Sequence, residues 1–232
     1  MSKGDEPRYD PLLIAGALAG PLYVVVGLAQ ALTREGFDPT RHALSQLSNG
    51  AFGWVQTANF LIAGMLVIIG ALGIRSALRN SPGATWGPIL LGIYGIGLLG
   101  AAAFAADPGR GFPPGVTPPA GISRNGILHF VFGGIAFYAL VGACLVFARR
   151  FKRLGQWRWA LFSLVTGLSF LASFIAISSG PPSGSVMLAF YVAVVWAWAW
   201  HAALHFEVSR AVSEKRRQEG GNTIASHEKE VP

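Results

Sequence analysis

Apolar residues are grouped in long blocks along the chain, separated by shorter polar stretches. Six blocks approach the roughly 20 residues that a helix needs to cross about 30 Å of hydrocarbon. They cover residues 12–33, 54–78, 86–106, 125–148, 157–179 and 185–206. None shows the two-residue alternation of a barrel strand, and an open strand facing lipid would leave backbone groups unpaired. The pattern therefore predicts an all-α fold, a polytopic transmembrane six-helix bundle over residues 12–207.

Composition agrees with a chain embedded in a lipid bilayer. Of the 232 residues, 52% are hydrophobic and only 12% are charged, against roughly 25% charged in a soluble domain. Glycines inside the blocks allow helices to approach closely, which predicts helix packing or a homo-oligomer. These glycines are Gly16 and Gly20 in the first block and Gly92, Gly95, Gly97 and Gly100 in the third.

The basic residues predict the orientation of the bundle. The net charge of +7 comes from lysines and arginines that flank the blocks, which indicates topology signals rather than nucleic-acid binding. With the N-terminus inside, the inner segments hold fourteen of the 18 lysines and arginines, and the outer segments hold Arg34, Arg41, Arg110 and Arg124. This asymmetry predicts a plasma-membrane protein with both termini in the cytoplasm. The inner basic groups at 149–158 and 215–217 are either anchors or contacts with anionic lipid headgroups.

Both ends of the chain are predicted to lie outside the bundle. Residues 1–11 form a short cytoplasmic segment, and residues 208–232 are polar, charged and poor in aromatics, which predicts a disordered cytoplasmic tail. Ala29-Gln30-Ala31 resembles a small-x-small cleavage site, so a signal peptide over residues 1–31 is the alternative to a first span. The span is favoured, because the apolar run is longer than the roughly 7 to 15 residues usual in signal peptides.

The first outer loop, residues 34–53, carries many polar side chains. Asp38 suits a helix N-cap, Pro39 the first helical position and Gly50 the end, which predicts a short amphipathic helix. Its apolar side would be Ala43, Leu44 and Leu47, and its two polar stripes would be Arg41, Ser45 and Ser48 beside His42, Gln46 and Asn49. A solvated loop helix and a binding or catalytic surface both fit this pattern.

The second outer loop, residues 107–123, is bounded by two opposite charges. Asp107 is predicted at a helix C-terminus and Arg124 at a helix N-terminus, where each charge opposes its helix dipole by about 0.3 to 1 kcal/mol. An ion pair between the two side chains would compensate both, and it is the predicted structural role of these residues.

His129 is predicted about one turn inside the fourth span, where ionisable residues usually face the bundle interior. One interpretation is a histidine hydrogen-bonded to a neighbour. The other is a site shared with His42 and Asp107, either as base and orienter or as ligands of a metal such as zinc. Gln56 and Asn59 would add hydrogen bonds at similar depth. No spacing demands a metal, and no cofactor is predicted.

A second pair of histidines, His201 and His205, has the i, i+4 spacing that places two imidazoles on one helix face. It stands at the inner end of the sixth block, beside three tryptophans, which predicts an interfacial aromatic belt rather than a haem or metal site. The single cysteine, Cys144, excludes an intramolecular disulfide and a cysteine-based metal cluster.

Several motifs together resemble a known family. They are Arg41-His-Ala-Leu-Ser-Gln-Leu-Ser-Asn-Gly followed by Gly53-Trp54, Asp107-Pro followed by Gly111-Phe-Pro, and Gly126-x-x-His129. This set resembles the prokaryotic membrane family catalogued as domain of unknown function nine-nine-eight, over about residues 12–206. The resemblance implies a six-helix plasma-membrane protein with no assigned activity, and it draws attention to Arg41, His42, Ser45, Asp107 and His129.

Two functions from different classes fit these observations. The first is a binding, sensing or transport module whose outer polar cluster recognises a small polar molecule or a lipid headgroup. The second is an intramembrane hydrolase or lipid-modifying enzyme, with His129 or His42 as base, Asp107 as orienter and Ser45 as nucleophile. The binding module is favoured because the sequence holds no complete catalytic set, and an accessory subunit that only packs is a third option. The candidate binding residues are Asp38, Arg41, His42, Ser45, Gln46, Gln56, Asn59, Asp107, Arg124 and His129.

Overall fold

Six long helices make up the fold. The computed structural model describes residues 10–79 and 81–229, with their side chains up to Glu214. The helices are α1 (Pro11–Thr33), α2 (Gly53–Ala77), α3 (Trp86–Ala103), α4 (Arg124–Arg153), α5 (Trp157–Ser178) and α6 (Gly184–Lys229). All six are long and apolar enough to cross a membrane, and the described ranges contain no strand. The predicted all-α six-helix bundle is confirmed.

Each helix packs on its neighbour in sequence, and α6 closes the bundle against α1. Because successive helices run in opposite directions, the loops 34–52, 104–123 and 179–183 lie together at one end, which we name the loop end. The shorter loops 78–85 and 154–156 lie at the opposite end. The candidate residues of both long loops are thereby brought to one end of the bundle.

Glycines bring α1, α2 and α6 into close contact. A Cβ added to Gly70 would overlap His205 Nε2 and Gly16 Cα. The backbones of α1 and α2 therefore meet at Gly16 and Gly70 without an intervening side chain. His201 and His205 are both fully buried, and His205 Nδ1 donates a hydrogen bond to the carbonyl oxygen of His201 at 2.8 Å. This pair does not face outward as an interfacial belt would: both imidazoles lie inside the bundle, and Gly16 and Gly70 leave room for that of His205.

We expect Gly70→Ala to destabilise the protein, because the added methyl group must push α1 and α2 apart. Overpacking of this kind costs about 1 to 3 kcal/mol. Gly92→Ala is the matched control, since a Cβ there meets no atom within 4 Å and alanine is the better helix former. Thermal unfolding in detergent measures both variants. Equal Tm values for the two would contradict the close contact at Gly70.

The helix α6 continues beyond its predicted end. Its backbone is helical to Lys229, past the predicted end of the transmembrane domain at residue 207. Val208 and Ser209 are still buried, and Arg210 Nε pairs with Glu214 Oε1 at 2.8 Å. Extension from a packed helix requires no new nucleation, and the segment is rich in good helix formers. Residues 1–9 and 230–232, which also belong to the predicted terminal segments, lie outside the described residues.

The first loop folds differently from the single amphipathic helix predicted between Pro39 and Gly50. The backbone N–H groups of Arg41 and His42 bond to the carbonyl oxygen of Asp38 at 2.9 and 2.8 Å and form one turn. Ala43 is then extended, and a short 3-10 helix follows at Leu44–Ser48. The two leucines of this helix are buried, and the 3-10 helix packs against α1 and α2. Burial of its apolar side in the bundle therefore interrupts the helix that local propensity predicted.

Candidate functional site

Asp107 binds the second loop to the first turn of α4. Its carboxylate accepts hydrogen bonds from Ser123 N at 2.9 Å and from Ser123 Oγ, and Ser123 Oγ accepts one from Gly126 N at 3.0 Å. A Cβ on Gly126 would overlap the carboxylate, so glycine is required for this approach. The negative charge lies at a helix N-terminus, where the helix dipole stabilises it.

The predicted ion pair between Asp107 and Arg124 is wrong. Arg124 is exposed, and within the described side chains the one ion pair joins Arg210 and Glu214. The error follows from the position of a helix end: α3 ends at Ala103, so Asp107 lies past that helix and is free to reach the N-terminus of α4. Ser123, which the sequence analysis did not select, is the partner of Asp107.

His42 is a buried structural residue of the first loop, with 2% of its surface exposed. Its Nδ1 accepts a hydrogen bond from Asp38 N at 2.9 Å, and its Nε2 lies 3.1 Å from the carbonyl oxygen of Arg110. Because Nδ1 accepts, Nε2 carries the proton and donates it to that oxygen. Both ring nitrogens are therefore engaged, and neither is free to act as a base or to bind a metal.

Arg110 joins the three loops at the loop end. It has a positive φ of 56°, and its guanidinium donates to the carbonyl oxygens of Arg41 and Pro182, each at 3.2 Å. Further hydrogen bonds join the loops to each other and to α6: Gln46 Nε2 to Gly109 O, Asn49 Nδ2 to Ala106 O and Tyr191 OH to His42 O. We name this assembly of residues 34–52, 104–123 and 179–183 the cover.

Arg34, at the end of α1, stabilises the cover from its other side. Its guanidinium donates to the carbonyl oxygens of Leu47 at 3.1 Å and Asn49 at 2.7 Å, and it lies 5.3 Å from the centre of the Phe112 ring. Partial burial lowers the pKa of Arg34. In the sequence, Arg34 carries only a topology signal, because its acceptors are backbone carbonyls that leave no signal in side-chain identity.

A cavity of about 630 Å³ lies beneath the cover. The polar side chains at its mouth are Arg41, Ser45, Gln46, Asp107 and Arg110. Its walls are mostly apolar and aromatic, and they come from all six helices: Tyr23, Phe60, Ala101, Phe130, Gly133, Gly134, Phe137, Phe174, Ile177, Met187, Phe190, Tyr191 and Val194. The cavity therefore has a polar end under the cover and an apolar body inside the bundle.

His129 lies in the wall of this cavity. Its Nδ1 donates to the carbonyl oxygen of Phe104 at 2.8 Å, and its ring packs 6.3 Å from that of Phe60. Of the two interpretations from the sequence, the structure contains the histidine bonded to a neighbour. The bond orients the ring and satisfies the carbonyl group just after the end of α3.

Three other candidate residues lie outside the cavity wall. Gln56 and Asn59 are buried between α1 and α2, where Gln56 Oε1 accepts from Gln30 Nε2 at 2.9 Å and Asn59 Nδ2 donates to the carbonyl oxygen of Tyr23 at 3.1 Å. Asp38 bonds Thr40 in the first turn of the loop, and the hydrogen bonds from Thr40 Oγ1 and N lower the pKa of Asp38. These residues hold structural elements together.

The candidate catalytic side chains are not joined to one another by hydrogen bonds. Asp107 is bonded to Ser123, and neither of the two histidines forms a hydrogen bond to Asp107 or Ser45. Among the side chains that the structure describes, up to Glu214, no three histidines, cysteines, aspartates or glutamates are grouped so that they could hold a metal ion. The weakly predicted metal set of His42, Asp107 and His129 is therefore not assembled in this part of the chain.

Comparison with protein families finds a match to the model described as "Protein of unknown function (DUF998)", over residues 17–207. The matched range begins in α1 and ends within α6, so it contains the whole cover and every wall of the cavity. No curated protein and no solved structure matches the chain.

Proposed function

The chain belongs to this family of proteins of unknown function, and on that premise we propose that its cavity binds an amphiphile with an anionic polar group. The contrast between the two ends of the cavity carries the proposal. Polar side chains occur at the mouth, and aromatic and aliphatic ones cover the walls. A ligand that satisfies both must carry a polar group and an apolar part.

The charge at the mouth favours an anion. Arg41 and Arg110 both line the mouth, and among the described side chains neither has a carboxylate partner within ion-pair distance. The one carboxylate at the mouth, Asp107, is engaged by Ser123 and the N-terminus of α4. Guanidinium groups bind phosphate and carboxylate groups through paired N–H donors, so an anionic headgroup complements these two side chains.

Binding is favoured over hydrolysis as the role of this site. Hydrolysis by Ser45 would require an adjacent base to activate the hydroxyl group. His42 has both ring nitrogens engaged in the cover, and His129, whose Nδ1 donates to a backbone carbonyl, forms no hydrogen bond with Ser45. The polar groups at the mouth are therefore suited to recognise a charge, as in a sensing or transport protein.

The proposal includes an orientation in the plasma membrane. With fourteen of the 18 lysines and arginines at the opposite end or in the terminal segments, the positive-inside rule places that end in the cytoplasm. The cover then faces outward, and the ligand is one that is present on the outer side of the membrane.

The experiment is a binding measurement on the purified protein with two lipids that share acyl chains and differ in headgroup charge. Native mass spectrometry would compare phosphatidylglycerol with phosphatidylcholine in a neutral detergent. We expect about tenfold tighter binding of the anionic lipid, which corresponds to about 1.4 kcal/mol, and a preference that falls as salt screens the charges. Equal affinity for the two lipids at low salt would overturn the proposal.

A further inference from the structure

We infer that the ligand is a lipid of the bilayer, and that its acyl chain reaches the cavity sideways between α4 and α5. This inference rests on the proposed function, because it assigns the apolar body of the same cavity. It concerns the source of the ligand: a lipid already in the membrane rather than an amphiphile taken up from water through the cover.

Two glycines keep the wall of α4 open. Phe130, Gly133, Gly134 and Phe137 all line the cavity, and their spacing places them on one face of the helix. A Cβ added to either glycine would meet no atom within 4 Å. These glycines therefore do not serve close helix packing, in contrast to Gly70, and the space beside them belongs to the cavity.

The wall formed by α5 is loosely packed on the same side. The buried residues of α5 are Ser163, Thr166, Gly167 and Phe170, so its last two turns contain none. Those turns nevertheless line the cavity through Phe174, Ile177 and Ser178. The helices α4 and α5 contact each other at Phe137, whose ring centre lies 5.0 Å from the ring centres of both Phe170 and Phe174. Between this contact and the loop end, α4 and α5 enclose the cavity without filling the space between them.

The cavity reaches a surface that faces the bilayer. Phe130 lines the cavity and is also 66% exposed, at a position within a membrane-spanning helix. In a bilayer, an exposed apolar side chain at this position would face lipid. The cavity is therefore open from the side at the level of Phe130, as a groove between α4 and α5.

The depth of the groove fits part of an acyl chain. The eight residue steps from His129 to Phe137 correspond to about 12 Å along a helix, within the roughly 15 Å that is half of the hydrocarbon core. A lipid in the adjacent leaflet can place its chain in the groove at its ordinary depth, with its headgroup near Arg41 and Arg110. Its chain then never has to pass through water or past the cover.

The test fills the groove and leaves the mouth unchanged. Gly133→Leu combined with Gly134→Leu places two side chains in the open space, and leucine is a better helix former than glycine, so the fold should be retained. Gly92→Leu is the matched control, because a Cβ there also meets no atom and Gly92 does not line the cavity. Native mass spectrometry with phosphatidylglycerol measures binding, and Tm confirms folding.

We expect the double variant to bind phosphatidylglycerol about tenfold more weakly, the effect expected when about two methylene groups of a ligand lose their burial. The affinity of Gly134→Ala should be intermediate, and that of Gly92→Leu should equal the affinity of the wild type. If the double variant binds phosphatidylglycerol as tightly as the wild type does, and both prefer the anionic lipid, the sideways groove is wrong and the proposed function stands. If the wild type itself shows no such preference, both the proposed function and this inference fail. If the double variant unfolds, Gly134→Ala decides, and full affinity in it would overturn the inference.

Discussion

Asp107→Ala is expected to lower the free energy of unfolding by about 2 to 4 kcal/mol, since it removes an ionised acceptor that receives two hydrogen bonds. The lost partners are the N–H and hydroxyl groups of Ser123. The second loop would then lose its bond to the N-terminus of α4, and the mouth of the cavity would lose its shape together with stability. Thermal or denaturant unfolding in detergent measures the change.

Two control variants separate this explanation from a general effect of charge. Arg124→Ala should leave stability unchanged, because that side chain is exposed and has no carboxylate partner within the described residues. Asp107→Asn should be intermediate, since its amide oxygen still accepts but carries no charge. If Arg124→Ala were as destabilising as Asp107→Ala, an ion pair between the two residues would be the better account.

The second large effect concerns binding. Arg41→Gln combined with Arg110→Gln is expected to weaken the binding of phosphatidylglycerol about tenfold to a hundredfold, because both cations at the mouth are removed. Binding of phosphatidylcholine should change little. The measurement is the ratio of the two affinities, at low and at high salt.

The matched control removes two basic residues at the opposite end. Lys152→Gln combined with Arg153→Gln changes net charge by the same amount, and both side chains are exposed. The single variant Arg41→Gln tests the charge without removing a hydrogen bond of the cover. In the described structure the Arg41 guanidinium forms no hydrogen bond to protein, whereas the Arg110 guanidinium joins the loops. If the control pair reduced binding as much as the variants at the mouth, the preference would reflect net charge rather than this site.

The six helices could be predicted from the sequence because a membrane span is a local property. Each needs about 20 apolar residues, and the blocks from residue 12 to residue 206 meet that requirement without reference to any other part of the chain. The helical backbone of α6 past residue 207 was not predicted, because the composition there is typical of disorder. A helix that is already packed can continue into such a segment at little cost.

The arrangement at the loop end depends on contacts between residues far apart in sequence. The partner of His42 is the carbonyl oxygen of Arg110, and Asp107 bonds Ser123 across a whole loop. Backbone carbonyls leave no signature in the sequence, so the role of His42 was open between ligand, base and structural residue. Four of the candidate residues, Arg41, Ser45, Gln46 and Asp107, lie together at the mouth of the cavity.

The glycines are a second example of residues whose roles depend on contacts that the sequence does not reveal. Gly70 and Gly133 are both glycines within apolar helices, yet one lies at a backbone contact and the other beside open space. Their roles differ only because of what the neighbouring helices place opposite them. Sequence patterns predict that glycines matter in such helices, whereas their division between packing and cavity requires the three-dimensional structure.

The most direct test of the account is an experimental structure of the protein in nanodiscs that contain phosphatidylglycerol. The account predicts a lipid whose headgroup lies within hydrogen-bond distance of Arg41 and Arg110 and whose acyl chain lies along Gly133 and Gly134. A structure in which ordered lipids occupy other surfaces while this cavity holds none would contradict it.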